Sequence, residues 1–235
     1  VTNGANATLA ATTLSAIGNK TAGVVTVQKA LTVTGSYAEL QAALIDTNTL
    51  VVANSALNAL KVTVTDATSD EIEATKLTAL TAKTDGVVTS QNGILVSGTA
   101  SQVTAALITG ATKITVGHAS TTASVSDSVN STVGNNLAGI AKVQTAFAGG
   151  VADTVDAFTD DDGSTSDVLD AIITDDANAN LTITTAANAT VAATLMSTIG
   201  NKTSGTATVQ KALTVTGTQA ELKAALVDTN TLVEA

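Results

Sequence analysis

In the stretch ALTVTGSYAELQAALID, residues 30–46, Leu31 and Val33 alternate with Thr32 and Thr34 before the spacing of apolar positions lengthens. Alternation with a period of two is the pattern of a strand with one buried face. Gly35 follows, and a residue without Cβ lets the chain turn sharply. Ser36 and Glu39 then stand three apart, the capping-box spacing in which each side chain satisfies a free amide at a helix start. Leu40, Ala43 and Leu44 fall on one helical face. The pattern therefore predicts strand, turn and helix. It recurs at Thr99/Gln102 and Thr218/Glu221, each preceded by Gly, and Thr68/Glu71 predicts a further helix start after the strand KVTVTD.

The recurrence has two scales. Residues 1–53 align without a gap on 183–235, an offset of 182, with 38 of 53 positions identical. Inside that repeat, a shift of 63 places GVVTVQKALTVTGSYAELQAALI (23–45) on GVVTSQNGILVSGTASQVTAALI (86–108). Further starts at 125–127 and 183–185 divide the chain into units 1–63, 64–124, a divergent 125–182, and 183–235 as the beginning of the next large repeat. Each unit reads as two turns of a strand-then-helix coil of about 27 residues, within the range of repeat architectures. One such coil buries too little apolar area to offset its conformational entropy, whereas stacked neighbours close a continuous core. The expected fold is an α/β repeat solenoid.

Composition fits thin, repeated layers. Hydrophobic residues make up 44% of the 235, yet only Tyr37, Phe147 and Phe158 are aromatic, so there are few rings to fill a deep core. The absence of Cys excludes thiol catalysis, thiolate metal sites and disulfides. Twenty acidic residues against ten basic ones, all Lys, give a net charge of −10. Such a surface repels nucleic acid and anionic lipid, and without Arg or aromatic platforms no nucleic-acid partner is expected. No apolar run approaches the ~20 residues that span a bilayer. Val1 is not an initiator Met, so the start reads as processed or excised, with any targeting signal elsewhere.

Coils of the form LTVTG-x-x-AEL-x-AAL resemble tandem repeats of very large secreted or cell-surface proteins of aquatic bacteria, including marine cyanobacteria. The resemblance covers roughly residues 1–116 and 181–235. It implies an extracellular structural or adhesive role with no catalytic residues to carry over, so no enzyme activity is expected. With no polar capping coil evident at Val1 or Ala235, self-association is expected as well.

Candidate chemistry concentrates where the repeat breaks down. FTDDDGSTSDVLDAIITDD (158–176) gathers Asp160, Asp161, Asp162, Asp167, Asp170, Asp175 and Asp176. Alternating oxygen ligands followed by Gly suit a hard cation, so Asp160, Asp162, Ser164 and Asp167 are the candidate Ca²⁺ ligands. Phe158 stands where an EF-hand loop needs its first Asp. The competing reading is a solvated acidic loop with Ser166 capping the next helix. His118 is the sole histidine, which excludes two-His metal motifs, and no P-loop or Rossmann fingerprint occurs. The Thr-x-Thr strands, at 32/34, 63/65, 182/184 and 214/216, carry a second possibility. In register they make a hydroxyl ladder suited to glycan, ice or mineral, against the plainer reading that Thr is a good outward-facing strand residue. Six N-x-[ST] sequons, at Asn6, Asn19, Asn130, Asn180, Asn188 and Asn201, permit glycosylation.

Overall fold

The computed structural model describes residues 4, 6–28, 30–46, 51–53, 60–116, 120–138, 143–159, 168–228 and 233–234. They form a mixed α/β architecture of short parallel strands alternating with helices, in two compact units, Val1–Ala123 and Ser124–Ala235.

In the first unit the order is β1 (Thr8–Ala10), α1 (Ala11–Gly18), β2 (Val25–Val27), β3 (Thr32–Gly35), α2 (Tyr37–Leu44) and β4 (Val51–Ala53). There follow β5 (Lys61–Val64), β6 (Glu71–Glu73), α3 (Ala74–Thr81), β7 (Val88–Ser90) and β8 (Leu95–Gly98). α4 (Ala100–Val103) continues as a π-helix, Thr104–Thr109, and β9 is Ile114–Val116. The chain passes into the second unit through β10 (Thr122–Val125). Five strands form one parallel sheet in the order β1-β3-β5-β7-β9. The successive pairings Thr8↔Thr32, Thr32↔Lys61, Val62↔Val88 and Val88↔Ile114 return the chain to the sheet at nearly even steps. β2 pairs with β4, and β6 with β8, in further parallel ladders.

The second unit contains α5 (Ser131–Ala138), β11 (Gln144–Ala146), β12 (Val151–Asp153), α6 (Val155–Thr159) and α7 (Val168–Asp175). After them come β13 (Leu181–Ile183), β14 (Thr190–Ala192), α8 (Ala193–Lys202), β15 (Ala207–Val209), β16 (Thr214–Thr216), α9 (Gln219–Leu226) and β17 (Val233–Glu234). Its ladders, β12-β13-β15-β17 and β14-β16, are again parallel. Leu181 pairs with Ala207 and Ala207 with Val233, two steps of equal length.

Alternation within the strands sets the core. Val33, Val62, Val88 and Ile114 are successive partners and all are buried, as are Leu40, Ala43 and Leu44 on α2. Most helices are preceded by two strands rather than the single strand expected, and between α2 and α3 there are three, β4, β5 and β6. The additional strand is easily missed because β2 is so short, Val25–Val27, and Lys29 follows Gln28 as a second polar residue in the sequence.

Outside residues 125–182 the helix starts come in two kinds. At α2, α4 and α9 the predicted capping boxes form, with Ser36, Thr99 and Thr218 accepting from the amides of Glu39, Gln102 and Glu221. At α1, α3 and α8 the strand runs straight into the helix through Ala10, Glu73 and Ala192, without a side-chain cap. The two kinds stack on each other at one contact. A Cβ on Gly35 would lie 3.0 Å from the Ala11 Cβ, one on Gly98 3.6 Å from that of Ala74, and one on Gly217 3.1 Å from that of Ala193. Each such Gly comes 24 residues after the Ala it meets. The same added carbon would meet the box carboxylate or amide at 2.8–3.0 Å. At Gly35 and Gly217 the facing Ala and the cap both crowd an added Cβ, whereas at Gly98 only the cap does, beside a φ of 156°.

The predicted box at Thr68/Glu71 is corrected by the structure. Asp70 closes that turn by accepting from the Ala67 amide at 2.9 Å, and Ser69 sits at φ 71°. Glu71, Ile72 and Glu73 then form β6 with Ile72 buried between exposed neighbours, and the helix begins at Ala74.

Candidate functional site

The four candidate Ca²⁺ ligands, Asp160, Asp162, Ser164 and Asp167, lie outside the described residues, as do Asp161, Ser166 and His118. The acidic residues beyond them are described, and they hold elements together. Asp170 pairs with Lys202 across α7 and α8. Asp175 Oδ2 accepts from the Thr145 amide at 3.0 Å, and the Asp175 carbonyl accepts from Gln144 Nε2 at 2.9 Å. Asp176 accepts from the Phe147 amide at 2.8 Å and, through its other oxygen, from Asn178 N at 3.1 Å. The end of α7 thereby fastens β11 and the chain after it.

Burial pushes the Asp175 carboxyl above its ordinary value; the Thr145 N–H opposes this and neighbouring Asp176 adds to it. Beneath this corner, Phe147 and Phe158 are buried. A Cβ on Gly134 would lie 2.9 Å from Ile172 Cδ1, so a larger residue there would push the Ile172 side chain aside. The buried rings among the described residues, Phe147 and Phe158, both lie in this divergent segment. Among the described residues, no three His, Asp or Glu side chains gather where they could hold a metal ion.

The threonine ladder is partly as expected. Thr34, Thr63, Thr89 and Thr115 are consecutive partners across β3, β5, β7 and β9. Each lies on the side of the sheet opposite the buried Val and Ile positions, the first three half-buried and Thr115 exposed. Thr182 pairs with Thr208, and Thr214 with Thr190. Thr32, by contrast, is set between Thr8 and Lys61, and Thr65 and Thr184 follow the ends of their strands.

No protein-family model, no curated protein and no solved structure matches this chain. No helix among the described residues is long and apolar enough to cross a membrane.

One recurring device escaped the sequence reading. In Thr84-Asp85-Gly86 and Thr203-Ser204-Gly205 the Thr hydroxyl accepts from the Gly amide, at 2.9 and 2.8 Å. It also donates to a carbonyl 24 residues earlier, Leu60 and Ala179 respectively. Both threonines are buried, at 5% and 6% exposure. Thr21-Ala22-Gly23 forms the same local bond at 3.0 Å, but Thr21 is exposed. The T-x-G triplets were its signal.

Proposed function

We propose that this chain is a structural repeat segment of an extracellular filament, surface layer or giant adhesin, built as a solenoid of stacked coils, with no reaction of its own. The observation that carries the reading is the ladder register. Parallel strands return at nearly even steps through the first unit's main sheet, and at equal steps along β13, β15 and β17. The buried partners in that sheet, Val33, Val62, Val88 and Ile114, remain aliphatic from strand to strand. A sequence that restores the same contact every layer is suited to extension along an axis, and its stability is a sum over neighbouring layers. Its partners are further copies of the repeat, and its place is the cell exterior. A cation such as Ca²⁺, held by Asp160, Asp162, Ser164 and Asp167, would relieve the repulsion of the adjacent carboxylates.

Single-molecule pulling tests the reading. A solenoid releases chain one or two layers at a time, and a layer such as that from Val62 to Val88 extends by about 90 Å. All-or-none release of a whole compact unit would reject it.

The Thr34–Thr63–Thr89–Thr115 register favours a second reading, a binding module for glycan, ice or mineral surfaces. Replacing Thr63 and Thr89 by Val keeps the strand shape and removes the central hydroxyls. On this reading the variant folds normally and loses at least tenfold in glycan retention or ice-growth inhibition. Neither activity in the unmodified chain would leave the structural role alone.

A further inference from the structure

The outward side of the first unit's main sheet carries more than threonine. Side chains two residues apart on a strand share a face. The residues two before Thr34, Thr63, Thr89 and Thr115 therefore make a second row on that side, Thr32, Lys61, Val87 and Lys113. Backbone pairing continues through this row: the Lys61 amide donates to the Leu31 carbonyl, that of Val62 to Val87, and that of Val88 to Lys113. Lys61, Lys113 and Thr115 are exposed, while Thr63, Val87 and Thr89 are half-buried. The ion pairs among the described residues use Lys76, Lys202 and Lys223, and neither lysine of this row.

This composition is opposite to that of the whole molecule. The chain carries a net charge of −10, yet β1, β3, β5, β7 and β9 contain no acidic residue. Asp85, in the turn ahead of β7, is the acid nearest in sequence to the row. At physiological ionic strength charges more than about 8 Å apart are largely screened, so a ligand on this face meets its two lysines rather than the net charge. The second unit lacks the feature. Two residues before Thr182 and Thr208 stand Asn180 and Thr206, and Asn180 Oδ1 accepts from the Thr206 amide at 3.0 Å.

Neighbouring strands lie about 4.8 Å apart, so the backbones at Lys61 and Lys113, with β7 between them, are about 9.6 Å apart. A polymer laid across the strands meets a hydroxyl at every strand and a cation at every second one, with apolar Val87 between the cations. Threonine hydroxyls donate and accept, which suits a ligand bearing hydroxyls of its own. An ammonium pairs as a point charge with a carboxylate or sulfate, and a half-buried valine suits the C–H face of a sugar ring. Single-stranded nucleic acid would find no stacking platform, since none of these strands has an aromatic residue. We propose that this face binds an acidic polysaccharide laid across β5, β7 and β9. Lys61 and Lys113 hold its anionic groups, and Thr63, Thr89 and Thr115 its hydroxyls. The inference rests on the binding-module reading and names its ligand class.

The test is retention of the 235-residue chain on immobilised polygalacturonate and dextran sulfate. Methyl-esterified polygalacturonate and plain dextran are their neutral counterparts. At least one acidic polymer should retain the chain about tenfold better than its neutral form, and which one does so identifies carboxylate or sulfate as the group held. Replacing Lys61 and Lys113 together by Gln should lower that retention about tenfold, the scale of two exposed ion pairs. The same change at Lys20 and Lys211, exposed and outside this sheet, should leave it unaltered. Unchanged circular dichroism and melting serve as the folding control. Retention by neither acidic polymer overturns the proposal, as do equal losses in the two lysine pairs or a preference for single-stranded DNA. Thr63→Val with Thr89→Val separates it from the reading beneath it. If that pair abolishes retention on neutral and acidic polymers alike while the Lys61/Lys113 pair changes nothing, the binding module stands and the acidic ligand falls.

Discussion

Glu221 and Asp175 are two carboxylates whose surroundings act in opposite directions. The Thr218 N–H, and after it the Thr218 hydroxyl, hold Glu221 below the ordinary glutamate range, outweighing a small opposing effect of burial. Such a group stabilises the fold above its unfolded pKa, and that contribution is lost as pH falls through the folded value. Burial raises Asp175, so the folded state holds its proton more tightly than the unfolded chain. Its effect on stability therefore declines as pH rises from the ordinary aspartate value through the raised one. Glu221→Gln keeps the oxygen that caps the helix, as Gln102 does in the box at Thr99. We expect it to flatten the acid limb of the melting temperature between about pH 3 and 6, whereas Asp175→Asn steepens that limb. Parallel profiles for both variants and the unmodified chain would show that neither carboxylate contributes. The boxes were legible because S/T-x-x-E/Q is a local pattern. Asp175 was legible only as one acid among many, since its partner Thr145 lies 30 residues earlier in the chain.

Elements were legible where local preference and layer contact agree. Strand β3 and helix α2 fall where the period changes from two to that of a helix, and the Gly at 35 suits both the turn and the Ala11 contact. Thr68/Glu71 failed because E-I-E also alternates with period two, and burial of Ile72 in β6 decided between the readings. The segment between α6 and α7 is where local pattern says least. Its charges repel unless a counterion binds, and the flanking helices carry the buried Phe158, Leu169 and Ile172. If Asp160, Asp162, Ser164 and Asp167 hold Ca²⁺, saturating metal stabilises the fold by about 2.7 kcal/mol at one hundred times Kd. A chelator should then lower the melting temperature by several degrees and speed amide exchange in α6 and α7 ahead of α8 and α9. Equal exchange across 158–176 with and without chelator would exclude a cation there.

Across the whole molecule, net charge and apolar faces set opposing tendencies. Twenty acids against ten lysines make every copy repel every other. Exposed apolar side chains, Ile17, Val24, Leu226 and Val227 among the described residues, offer copies a contact without charge. Such contact gains little from ions, while the copies carry like charge up to it. Salt shortens the reach of that repulsion, from about 30 Å at 0.01 M to about 10 Å at 0.1 M, and leaves apolar burial in place. If further copies of the repeat are the partners, as proposed above, their association should therefore strengthen as sodium chloride rises from about 0.02 to about 0.5 M, with the midpoint concentration falling several-fold. Sedimentation at a fixed protein concentration reads this directly. Weakening with salt would mean that opposite charges meet where copies touch.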